Sequence, residues 1–172
     1  VQSLYDANLS EIRIDEVGSV IDELDKNEAL SYTIYQSSEN NKVTGYAIPI
    51  AGKGLWGTMY GYFAIEPDAE TVKGITFYKH KETPGLGAEV DKDWFKNNFV
   101  GKKLTNKNGE LVSIEVIKGY VSDTDPDAPH KVDGISGATI TGTGLTTFLK
   151  SDLQKYEPYF AKVRSVNQIE SL

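Results

Sequence analysis

Cysteine is missing from this 172-residue chain, and it holds only two histidines, His80 and His130, and one methionine, Met59. Without a thiol there is no disulfide framework, thiolate nucleophile, iron–sulfur cluster or Cys-based zinc site. Two histidines fifty positions apart supply too little for a His-rich metal centre or a serine–histidine dyad. No metal site and no catalytic side chain is therefore expected. Positive charge is short as well: 18 Lys and Arg stand against 25 Asp and Glu, a net charge of −7. A nucleic-acid binder needs a basic face to displace counterions, so nucleic acid is not an expected partner. No apolar run approaches the ~20 residues that a membrane helix requires. Any chemistry in such a chain points to an imported group rather than to side chains alone.

What is present describes an ordinary globule, with 39% hydrophobic and 25% charged residues. The length predicts one domain over residues 1–172, in a range where folding buries roughly 70% of the unfolded surface. The chain begins at Val1. The absence of an initiator methionine suggests a trimmed product, with a signal peptide or membrane helix removed upstream.

Ile14, Val17, Ile21 and Leu24 recur at helical spacing, with Asp15, Glu16, Asp22 and Glu23 between them, so a first helix is predicted here. A short strand at Tyr32 to Tyr35 and a polar loop from Gln36 to Lys42 follow. Three β-rich runs come next, Val43 to Ile50, Thr58 to Ile65 and Val72 to Tyr78, interrupted at Pro49, Gly54 and Pro67. After a glycine-rich loop, Asp93 to Phe99 reads as a short helix anchored by Trp94 and Phe95, and Leu111 to Ile117 as another strand. Pro126 and Pro129 make Asp123 to His130 a loop. Two apolar stripes then predict helical structure: Leu145, Phe148, Leu149 and Leu153, and beyond them Tyr156, Tyr159, Phe160 and Val163, with Pro158 near a helix start. The order of elements reads as α+β, a mostly antiparallel sheet flanked by helices.

Three motifs have plain explanations. Gly52-Lys53-Gly54-Leu55-Trp56-Gly57 matches a dinucleotide fingerprint, but a strand follows where the pyrophosphate needs a helix, so a glycine-rich hairpin presenting Trp56 is expected. Asp123, Asp125 and Asp127 imitate a calcium loop, yet Ala128 and Gly134 occupy the positions of its required glycine and bidentate acid; a solvated acidic turn is expected. Gly134-Ile135-Ser136-Gly137 falls one residue short of a nucleophile elbow and has no histidine partner in view.

Two segments ask for more. Glu82-Thr83-Pro84-Gly85-Leu86-Gly87 joins a strand to a short helix, and its glycines would let backbone approach a planar ligand under Leu86, although composition alone also fits a tight turn. Asp133 to Gly144 crowds small and hydroxyl residues against the Leu145 helix. Its N-terminus would favour a phosphate, or Thr141 or Thr143 would simply cap it.

Together, Glu82 to Gly87 and Ser136-Gly137-Ala138-Thr139 resemble the FMN-binding domain of respiratory flavoprotein subunits. That family includes the C subunit of the sodium-translocating NADH:quinone oxidoreductase and the G subunit of the Rnf complex. The similarity runs from about residue 43 to 164, through Met59-Tyr60-Gly61, Thr76-Phe77-Tyr78, Gly101-Lys102-Lys103-Leu104 and Pro158 to Arg164. Gly-Lys-Gly-Leu-Trp at Gly52 to Trp56 favours the first of these two proteins. Ala88 and the Thr141-Gly142-Thr143-Gly144 run depart mildly from the family pattern.

The resemblance implies FMN joined by a phosphoester to Thr139, with Thr141 the chemically competent rival. It implies cofactor contacts from Glu82, Thr83, Gly85, Leu86, Gly87, Ser136, Gly137 and Ala138, and recognition of Asp133 by an FAD-dependent, magnesium-requiring flavin transferase. Lys118 is a candidate phosphate neighbour and Trp56 a candidate ring partner. The implied function is electron relay within a sodium-pumping NADH:quinone oxidoreductase, with the pump's other subunits as partners. The implied location is the periplasmic side of a bacterial inner membrane, anchored by an N-terminal helix outside this chain. A non-redox module for phosphorylated ligands is the alternative of a different class.

Overall fold

A computed structural model describes residues 9–21 and 30–170. Five strands form an antiparallel meander in chain order: β1 (Leu9–Ile14), β2 (Tyr32–Glu39), β3 (Lys42–Lys53), β4 (Thr58–Ile65) and β5 (Val72–Lys79). Burial alternates along β4, where Met59, Phe63 and Ile65 are fully buried and Tyr62 is exposed. One face of the sheet is therefore core and the other faces water. The predicted α+β class with an antiparallel sheet is what the structure has.

A short helix α1 (Asp93–Asn97) follows β5. Phe95 within it and Phe99 just beyond its end are buried, whereas Trp94 is half-exposed. Two-residue strands β6 (Glu115–Val116) and β7 (Lys131–Val132) pair in parallel. The strand expected over Leu111 to Ile117 shrinks to β6 because Ser113 sits at φ +69°, outside the strand region.

The chain closes with α2 (Thr139–Glu170), 32 residues long. The two apolar stripes are one continuous helix, and Pro158 lies inside it rather than at a start. The proline removes a backbone N–H from the ladder. Packing on either side holds the axis: Tyr156 lies against Tyr32 at 5.7 Å between ring centroids, and Phe160 against Tyr46 at 5.4 Å. Leu145, Leu149, Leu153, Tyr156 and Phe160 share the buried face with Ile34, Ile48, Met59 and Phe63 of the sheet. Asp152 on this helix is almost fully buried and accepts the Ala51 N–H of β3 at 2.8 Å. β2 pairs with β3 only as far as Ala47, so Asp152 satisfies a strand edge that would otherwise be open, and the same edge tolerates Pro49.

The helix expected from Ile14 is overturned. Ile14 ends β1, and the chain reverses so that Val20 bridges back to Ile14. Asp15 Oδ1 accepts the N–H groups of Val17 at 3.0 Å and Ser19 at 2.8 Å. An aspartate side chain thus organises a turn where the apolar spacing alone suggested a helix. Val17 and Val20 are exposed, while Asp22, Glu23 and Leu24 lie outside the described residues. The loop expected over Gln36 to Lys42 is also mostly strand. β2 runs to Glu39 and turns through Asn40 and Asn41, both with positive φ (50° and 62°), as a tight two-residue hairpin demands.

Candidate functional site

The N-terminus of α2 and the loop after β6 form the two walls of a cleft of about 280 Å³. One wall is Ile135, Ser136, Gly137, Ala138 and Thr139; the other is Val116 to Tyr120. The helix begins at Thr139, six residues before the predicted start at Leu145, and its first backbone bond in this turn runs from the Gly142 N–H to the Ala138 carbonyl at 3.1 Å. The preceding N–H groups have no intrahelical acceptor and give the cleft an electropositive end.

The hydroxyls here differ sharply. Thr139 and Ser136 are exposed at the cleft. Thr141 is fully buried and donates to Glu82 Oε2 at 2.5 Å. Thr143 turns back to the Thr139 carbonyl at 3.0 Å. Neither Thr141 nor Thr143 caps the helix, because both lie within its first turns.

Glu82 explains how the two glycine-rich segments meet. Its other oxygen accepts the Trp56 N–H at 3.0 Å, and its own N–H donates to His80 Nδ1 at 3.1 Å. His80 Nε2 in turn lies 2.7 Å from Asp91 Oδ2. A Cβ on Gly87 would stand 2.5 Å from Glu82 Oε2 and 2.7 Å from the Thr141 hydroxyl. Only glycine leaves room for that buried pair. Leu86 is 41% exposed, and its Cδ2 is 2.8 Å from where a Cβ of Gly137 would be. Gly137 also has φ +73°, a conformation that suits glycine. Thr83, Pro84 and Gly85 form the exposed turn beyond Leu86.

The structure therefore brings Ser136, Gly137, Ala138 and Thr139 to one cleft and sets Leu86 at its edge. Glu82 and Gly87 lie behind it. Asp133 does not line the cleft; its Oδ1 accepts the Val121 N–H at 2.7 Å and holds the opposite wall. Lys118 lines the cleft and makes no ion pair among the described residues. Trp56 is 64% exposed but is not among the cleft's lining residues. Tyr120, at the mouth and 86% exposed, was not singled out by the sequence; no spacing or composition signal ties it to residues 134–139.

The hairpin reading of the glycine-rich motif agrees with the geometry, and the acidic turn is ion-paired rather than simply solvated. Gly52 to Gly57 is the β3–β4 hairpin, closed by the Gly54 N–H on the Gly57 carbonyl at 2.8 Å. The calcium-like turn already holds a cation of its own, with Lys131 Nζ 2.8 Å from Asp125 and 3.7 Å from Asp127. Hydrogen bonds from Lys131 and the Asp127 N–H keep the Asp125 carboxyl below the usual carboxylate range. Among the described residues no three or more His, Asp or Glu side chains come together as a metal-ligand group. His130 is engaged with the Lys103 carbonyl at 2.7 Å.

The chain belongs to the FMN-binding domain family, which it matches over residues 54–154. Among its relatives is the C subunit of the Na(+)-translocating NADH-quinone reductase of Pseudomonas aeruginosa, 40% identical over 134 residues, 77% of this chain and 51% of the relative. Its counterpart in Chlamydia muridarum is 44% identical over 132 residues, 69% of this chain and 42% of the relative. The chain thus spans about half the length of the curated relatives it matches. Two solved structures share the fold. NqrC of Shewanella oneidensis has a TM-score of 0.80 at 25% identity, covering 95% of this chain and 88% of that one. The C subunit of the Na(+)-translocating NADH-quinone reductase of Parabacteroides distasonis has 0.78 at 31%, covering 92% and 81%.

Proposed function

We propose that this chain is the flavin-carrying domain of the C subunit in a sodium-translocating NADH:quinone oxidoreductase, with FMN held by a phosphoester on Thr139. The observation that carries the site is the contrast between two threonines two residues apart. Thr139 is exposed in a cleft, whereas the Thr141 hydroxyl is buried on Glu82. An incoming transferase could reach the first and not the second.

The residues present fit an FMN phosphate and ring. Lys118 and the free N–H groups at the start of α2 suit a phosphodiester. Ser136 adds a hydroxyl beside it, and Ile117, Ile135 and Leu86 offer apolar surface to a ring. The small residues Gly137, Ala138 and Gly142 keep the wall open. When bound, FMN supplies one- and two-electron chemistry, and the protein supplies position and electrostatics. Attachment itself balances as transfer from FAD: a Thr139 Oγ–P bond forms, the FAD anhydride breaks, and AMP leaves as the hydroxyl gives up its proton. A covalent tether keeps the flavin at high effective concentration even where intrinsic affinity is weak.

The names of the relatives favour the sodium pump over the Rnf complex. The accompanying proposals are a periplasmic position, partners among the other pump subunits, and maturation by a flavin transferase. Among the described residues no helix is long and apolar enough to cross a membrane.

Mass spectrometry after co-expression with a flavin transferase tests the reading. The expected gain is one FMN less one water, lost in Thr139→Val and kept in Thr141→Val. A gain that survives Thr139→Val overturns the site. No gain beside an active transferase favours a non-redox phospholigand module.

A further inference from the structure

Tyr120 is the most exposed large hydrophobic side chain among the described residues, at 86%. Its ring makes no aromatic contact and its hydroxyl no hydrogen bond among them. Yet it does not sit on a loose loop. Immediately before it, the Gly119 carbonyl accepts the Gly134 N–H at 2.8 Å; immediately after it, the Val121 N–H donates to Asp133 at 2.7 Å. One step further back, the Ile117 N–H donates to the Val132 carbonyl at 3.0 Å. The backbone carrying Tyr120 is thus stapled to the segment that leads into Ser136 and Thr139. An aromatic side chain on a held backbone stands at the mouth of the cleft, opposite a wall of Gly137 and Ala138 that has no bulky group of its own.

We propose that Tyr120 is the aromatic wall of the flavin site, packing its phenol ring on the flavin ring system tethered at Thr139. The proposal rests on the FMN reading above. A ring left exposed on a held backbone leaves unrealised the stabilisation that burying a large side chain brings. The electron-rich phenol complements the electron-poor flavin ring in offset stacking. Trp56, the aromatic candidate named from the sequence, does not line the cleft. A tyrosine can use both ends there, ring on flavin and hydroxyl in water.

A phenol in contact with a flavin quenches its emission, so fluorescence per bound flavin is the readout. Wild type, Tyr120→Leu and Trp56→Leu are each made with the transferase, and flavin loading is fixed by intact mass. Tyr120→Leu should raise emission about threefold or more, as lost stacking predicts, while Trp56→Leu should change it by less than about half. Unchanged emission in Tyr120→Leu, or a rise confined to Trp56→Leu, overturns the proposal. Both side chains are exposed, so neither variant should unfold the protein, and circular dichroism checks this. A wild type without mass gain defeats the attachment reading separately. In that case FMN is titrated into unmodified protein carrying 13C-labelled tyrosine. Ring-current shifts at Tyr120 then sustain the proposal, and their absence ends it.

Discussion

Glu82 joins three parts of the molecule: its side chain holds the β3–β4 hairpin at Trp56 and the start of α2 at Thr141, and its backbone N–H holds His80. Removing it strands the buried Thr141 hydroxyl and the part-buried Trp56 N–H and leaves a void between Gly54, Gly87 and Thr141. An unpaired buried donor costs ~1–3 kcal/mol and a cavity adds to that. Glu82→Ala should therefore lower the unfolding free energy in urea by about 3 kcal/mol, and Glu82→Gln, which keeps an acceptor, by about 1 kcal/mol. Any part Glu82 plays in holding a cofactor is indirect, since it lies behind the cleft and both oxygens are taken. The glycines of Glu82 to Gly87 were legible as unusual from sequence. That Gly87 makes room for a carboxyl–hydroxyl pair, with Thr141 arriving 59 positions later, was not.

At the scale of elements, the wall of the cleft opposite α2 depends on a side chain that the family resemblance assigned to enzyme recognition. Asp133 holds the Val121 N–H and so sets the loop carrying Lys118 and Tyr120. Asparagine at 133 keeps an acceptor and alanine does not. Hydrogen exchange at the Val121 amide should be about tenfold faster in Asp133→Ala and within about twofold of wild type in Asp133→Asn, the difference expected of one hydrogen bond. Flavinylation separates the two roles. If the loop is what the transferase meets, Asn keeps modification and Ala loses it; if the charge is read directly, both lose it. The errors of the linear reading belong to this scale as well. Ile14, Val17 and Ile21 fit helical spacing, but the carboxyl of Asp15 satisfied turn amides instead, and strand pairing with β2 claimed Ile14. Pro158 looked like a boundary, yet aromatic packing against the sheet carried the helix through it.

At the scale of the whole molecule, strands, α1 and α2 share one hydrophobic core among the described residues. Tyr46 and Tyr156 are sunk in it, at 6% and 4% exposure. Burial, with Tyr159 beside it, pushes the Tyr46 phenol up to about 12. Burial, with Asp152 and the neighbouring tyrosines, does the same for Tyr156. A phenol with a raised folded-state pKa contributes stability that is fully present below its ordinary value near 10 and is lost as pH rises through the folded value. Unfolding free energy from urea melts should hold to about pH 9 and fall between pH 10 and 12, by an amount on the order of 2 kcal/mol per tyrosine. The double variant Tyr46→Phe, Tyr156→Phe keeps both rings in place and should flatten that alkaline limb. An unchanged limb would assign the loss to other groups.

Sequence alone determined the class of the fold and marked two segments as unusual. Period-two runs of Val, Ile, Thr, Tyr and Phe specify strands, period-3.6 stripes specify α2, and two glycine-rich segments announce places where backbone comes close to something else. These are local signals, written within a dozen residues, because a strand or helix must present its apolar face at its own period. Tertiary structure decided which hydroxyl is free and what surrounds it. Thr139 and Thr141 are chemically equal in sequence; 100° per residue around a helix turns one to the cleft and the other to Glu82. Tyr120 acquires its place opposite Thr139 only when the loop after β6 is stapled to the segment after β7. Those choices rest on contacts between residues far apart in the chain, and no local pattern encodes them.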